Sequence, residues 1–77
     1  MAVVRRNSRV RVPARSGREV FAGVAKDTQV ERLAGSRRRA LEPLSLFKRD
    51  HPNGGSVEWT LPTGTEFTYM SGPANKE

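Results

Sequence analysis

Apolar and polar residues alternate from the start of the chain. Counting by twos, Val4, Val10 and Val12 share a face with Arg6 and Ser8, while Arg5, Asn7, Arg9 and Arg11 share the other. The alternation is cleanest from Arg9 to Val12, where β-branched valines suit a strand. Pro13, Ala14, Arg15, Ser16 and Gly17 then supply turn chemistry, and a second apolar run from Glu19 to Ala25 carries Val20, Phe21 and Val24. Together the two runs predict a hairpin, with Gly23 marking a bulge or a close backbone approach.

The period then lengthens. Thr28 with Glu31 three residues on has the capping-box form that satisfies orphan amide donors at a helix start. Val30, Leu33, Ala34 and Leu41 fall on one helical stripe, Arg37 is the only polar residue at an expected apolar slot, and Pro43 supplies the stop. This spacing predicts a short helix over 28–41. Its weak point is Gly35 followed by Ser36, since glycine costs about 1 kcal/mol relative to alanine inside a helix and would split the segment. A DNA-reading helix-turn-helix does not fit, because no long recognition helix follows.

From Leu44 onward the period returns to two. Leu44 and Leu46 flank Ser45, and His51, Pro52, Asn53, Gly54 and Gly55 form a strong loop signal. Val57, Trp59 and Leu61 alternate with Glu58 and Thr60, and Pro62, Thr63 and Gly64 read as a three-residue connection. With Leu61 and Thr65 at its ends, Trp59 falls opposite Phe67 and Val57 opposite Tyr69, cross-strand pairs worth about 0.2–1 kcal/mol each. The order of elements predicts an α+β fold, a small antiparallel sheet of two hairpins with one short helix. A small all-β barrel is the alternative if the break at Gly35 prevails. The expected organisation is a basic extended arm or first strand over 1–12, a single small domain over 9–70 and a flexible tail over 71–77.

Length and composition narrow the chemistry. A chain of 77 residues with 35% hydrophobic residues supports one modest core, so help from a partner is expected. Having no cysteine excludes disulfides and thiolate zinc sites, and one histidine with scattered carboxylates gives no metal-ligand spacing. No cofactor motif is present: Gly54-Gly55 lacks the lysine and helix of a phosphate loop. His51 in a turn-like loop offers no catalytic constellation, so no enzyme is expected. The chain has no apolar run of the roughly 18–20 residues a membrane span needs, and no signal-peptide shape. The expectation is a cytoplasmic or particle-associated protein that is neither secreted nor membrane-bound.

Charge sharpens the reading. The net value is +6. Residues 1–39 hold ten arginines and Lys26 against Glu19, Asp27 and Glu31, a net of +8, whereas residues 40–77 carry −2. A basic front half predicts attraction to phosphate polymers or acidic protein surfaces, and the planar guanidinium fork suits both. The candidate contact residues are Arg5, Arg6, Arg9, Arg11, Arg15, Arg18, Arg37, Arg38 and Arg39. In an extended segment, residues two apart are about 6.7 Å apart, near every second phosphate of a strand. Arg37, Arg38 and Arg39 also suit the carbonyl end of the predicted helix. Trp59, Phe67 and Tyr69 read as core, and no aromatic residues are interleaved with the arginines in sequence.

The expectation is a small nucleic-acid-binding protein that contacts phosphates, DNA or RNA, through its Arg-rich half. The alternative is a protein-interaction module docking on an acidic surface: an inhibitor, an adaptor or a small structural subunit of a larger particle such as a virus. Either reading allows a homo-oligomer or a place in a larger assembly.

Overall fold

Alternation by two governs the whole chain, including the part whose spacing predicts a helix. The structure, a computed structural model, describes residues 2–14, 16–50 and 55–72, with backbone alone at 49 and 50. Arg15, the loop residues 51–54 and the tail over 73–77 lie outside the described residues. Among the described residues eight strands follow one another: β1 Ala2–Val4, β2 Arg9–Pro13, β3 Glu19–Val24, β4 Thr28–Arg32, β5 Arg37–Ala40, β6 Leu44–Asp50, β7 Gly55–Leu61 and β8 Glu66–Ser71. They form one antiparallel sheet in the order β1-β4-β5-β8-β2-β3-β6-β7. Among the described residues there is no helix, and hence none long and apolar enough to cross a membrane.

This order forces the sheet to curl. The connections β1→β2, β3→β4, β5→β6 and β7→β8 each join strands four places apart in the sheet. In a flat sheet that is a distance of about 19 Å. The three residues between Val24 and Thr28, or between Ala40 and Leu44, reach only about 14 Å. Strands four places apart must therefore face each other across an interior, which makes the sheet an open half-barrel. The interior is filled by Val4, Val10, Val12, Ala22, Val24, Val30, Ala40, Leu44, Leu46 and Phe67, with Ala2 at one edge. Phe67 is the largest fully buried side chain. Truncating it to alanine would cost about 3–5 kcal/mol, much of the roughly 4–12 kcal/mol available to a chain of this size.

The α+β expectation is corrected to a mostly-β fold. Residues 28–40 form the β4–β5 hairpin, with Val30 opposite Ala40 and Glu31 opposite Arg39. Two features override the helical stripe. Thr28, Val30, Arg38 and Ala40 are all buried at a spacing of two along their strands. Gly35 turns the chain with φ at +61°, and the Arg37 amide donates to the Ala34 carbonyl at 3.1 Å. A glycine at the first central position with positive φ, followed by a residue without it, is the type II′ hairpin turn. The break at Gly35 thus prevails, and the chain is closer to the small barrel than to a sheet with a helix.

The second correction concerns pairing. The β2–β3 hairpin has Val10 opposite Ala22 and Arg11 opposite Phe21. The expected hairpin between Val57–Leu61 and Thr65–Tyr69 does not form: Trp59 lies opposite Leu46 on β6, and Phe67 lies opposite Arg38 on β5. Pro62–Thr65 spans from one wall to the other at the surface and bonds to Ala40, Gly64 N to Ala40 O at 2.7 Å and Ala40 N to Thr65 O at 2.9 Å. Turn chemistry was right here, with Gly64 at φ +94°. The turn nevertheless links opposing walls rather than neighbouring strands.

Candidate functional site

Strand geometry decides where each candidate arginine points. On β2, Val10 and Val12 are buried, so Arg9 and Arg11 face outward. On β5 the same rule separates the three consecutive arginines: Arg37 and Arg39 face outward while Arg38 turns into the interior. Arg38 is only 7% exposed. Its Nη1 donates to the Gly35 and Arg37 carbonyls at 3.0 and 2.9 Å, and its guanidinium lies 5.7 Å from the Tyr69 ring centre. It fastens the β4–β5 turn and is not presented to a ligand.

Arg37 and Arg39 are occupied. Arg37 donates to Glu66 Oε1 at 2.8 Å, and Arg39 bridges Glu31 at 2.7 Å and Glu66 Oε2 at 3.2 Å. This row crosses β4, β5 and β8. Hydrogen bonds from Arg37 and then Arg39 hold the Glu66 carboxyl below its ordinary value. The Arg39 guanidinium is held further up by its bond to Glu31 and then by that to Glu66. Arg5 lies 4.0 Å from Asp27, which also accepts the Arg6 backbone amide at 2.8 Å. Arg6 and Arg18 are exposed at connections. The structure thus disperses the eight expected contacts that it describes, and the ninth, Arg15, lies outside the described residues.

One part of the outer face is different. The β3–β6 pairing runs through Gly23 opposite Phe47 and Val24 opposite Leu46 and stops there, although β3 extends back to Glu19 and β6 on to Asp50. At this end an open groove of about 750 Å³ is lined by Asn7, Arg9, Phe21, Ala22, Gly23, Phe47, Lys48, Met70 and Ser71. Phe21 is 60% exposed and Met70 43%. Phe21 faces out because Ala22 and Val24, at the opposite parity, fill the interior. The Phe47 ring lies against Gly23, where a Cβ would meet it at 2.5 Å, so the glycine supplies the close approach its position in the strand suggests. Met70 is the extra residue of a bulge: Arg9 pairs with Ser71 and Val10 with Tyr69, leaving Met70 between them.

Two cations that line this groove are uncommitted to carboxylates, as are the exposed Arg6 and Arg18 at the connections. Arg9 and Lys48 have no carboxylate partner among the described residues. Arg11 stands 5.3 Å from the Phe21 ring centre and 3.6 Å from Glu19, while its buried Nε finds no acceptor. No protein family, curated protein or solved structure matches the chain. Its functional reading therefore rests on this groove. The residues that sequence reading missed are Phe21, Phe47, Lys48 and Met70. Parity along β3 was the available signal for Phe21. The approach of β6 to β3, which carries Phe47 and Lys48, has no sequence signal. Among the described residues no group of three histidine or acidic side chains is placed to hold a metal ion.

Proposed function

We propose that the protein is a non-catalytic nucleic-acid-binding module whose contact surface is the outer face of β2, β3, β6 and β8. The observation that carries this reading is the juxtaposition of Arg9 and Lys48 with the exposed Phe21 ring and the half-buried Phe47 ring in one groove, with Arg11 beside Phe21. Cations without internal partners leave phosphates to neutralise at little cost, because no ion pair has to be broken at Arg9 or Lys48. The orphan Arg11 Nε–H adds a donor that gains by meeting an anionic oxygen. This surface is smaller than the arginine count suggests, since Arg37, Arg38 and Arg39 are engaged within the protein.

Fluorescence anisotropy with a labelled oligonucleotide across a salt series tests the proposal. Three phosphate contacts give a slope of log affinity against log salt of about −2 to −3. Arg9→Ala and Lys48→Ala should each shallow the slope by about one contact, while Arg37→Ala should leave it unchanged. A poly-glutamate peptide that competes as well as unlabelled oligonucleotide would point instead to an acidic protein surface, the alternative partner.

A further inference from the structure

Phe21 presents its ring on the solvent side of the sheet, at the opposite parity to the buried Ala22 and Val24, and is not enclosed by apolar neighbours. Arg11 orders one side of the ring at 5.3 Å, yet the residue remains 60% exposed. Phe47 sits one strand over. Because Gly23 pairs with Phe47 and Phe21 lies two residues along β3, the two aromatic positions are diagonal neighbours, about 7–8 Å apart at the backbone. That separation lets each ring carry its own base.

Resting on the nucleic-acid reading above, the geometry points to single-stranded nucleic acid as the ligand class, with unstacked bases laid on Phe21 and Phe47. Arg9 and Arg11, on the same face as the rings, meet the phosphates, with Lys48 at the end of the groove beyond Phe47. The shape of the face supports the same choice. A major groove is about 12 Å wide, whereas four neighbouring strands, β8, β2, β3 and β6, span about 14 Å. The face therefore cannot enter a duplex groove, and a duplex offers it phosphates alone. The narrower β6–β7 ribbon carries Glu58 opposite Phe47, a charge that opposes a phosphate wall. Ring stacking is tolerant of sequence, since every base has a π-face.

The test compares a labelled twelve-nucleotide strand of mixed sequence with the duplex of the same sequence at low salt, for the unaltered protein, Phe21→Leu and Phe21→Tyr. Phe21 lies outside the core, so both variants keep the fold. The strand should bind about fivefold or more tightly than the duplex. Phe21→Leu should erase that preference and Phe21→Tyr retain it. Equal or tighter duplex binding, unchanged in Phe21→Leu, overturns the single-strand inference while the nucleic-acid reading stands. No binding of either form overturns both.

Discussion

Gly23 is the position at which one absent side chain shapes the candidate site. A methyl group there would sit 2.5 Å from the Phe47 ring. That ring lies at the rim of a groove and can swing away, so Gly23→Ala should cost only about 1–2 kcal/mol of stability. It should weaken oligonucleotide affinity several-fold, as measured by anisotropy beside a thermal melt. Ser8 poses the opposite case. Its hydroxyl is fully buried and has no hydrogen-bond partner among the described residues. An unsatisfied buried hydroxyl carries a desolvation penalty that alanine does not, so Ser8→Ala should stabilise the protein by about 1 kcal/mol, raising its midpoint in denaturant. Alternation in the sequence already places Ser8 on the valine face, whereas the lack of a partner depends on the packing around it.

At the scale of elements, the legible parts were those whose partners lie next to them in sequence. The β2–β3 hairpin could be read because its alternation and Gly17 turn are both local. The β4–β5 hairpin was obscured by a coincidence of spacing. Val30, Leu33, Ala34 and Leu41 suit a helix, while the buried set includes Arg38, a residue type that pattern reading assigns to solvent. Gly35-Ser36, the weak point of the helical stripe, is also a sequence favoured in type II′ turns. Pairing of β7 with β6 and of β8 with β5 and β2 was not legible, because turn chemistry at Pro62–Gly64 does not distinguish a hairpin from a crossing.

The row Glu31–Arg39–Glu66–Arg37 ties β4, β5 and β8 together and sets a pH dependence. Since the Glu66 carboxyl is held below its ordinary value in the folded protein, its contribution is complete above 4.5 and is lost as pH falls through the depressed value. Glu66→Gln should lower the melting temperature at pH 7. Its difference from the unaltered protein should shrink as pH falls through the depressed value of the Glu66 carboxyl, below which both side chains are neutral.

For the molecule as a whole, bulk charge sets long-range attraction, and the fold decides which cations stay available for contact. A net charge of +6 supplies long-range attraction whichever way individual side chains point. Contact depends on what remains unpaired after folding. Curling of the sheet commits Arg38 to the interior, and pairing of β5 with β4 and β8 commits Arg37 and Arg39 to carboxylates. Arg9 and Lys48 are left without carboxylate partners beside Phe21 and Phe47, and Arg11 keeps an orphan Nε there, residues distant in sequence that only the β2-β3-β6 order brings together. Amide chemical-shift mapping of the ¹⁵N-labelled protein during titration with a single-stranded oligonucleotide tests this most directly. Perturbations should concentrate at residues 9, 11, 21, 23, 47, 48 and 70 and spare residues 37–39. Shifts centred on Arg37 and Arg39, or on the β7 edge, would contradict the account.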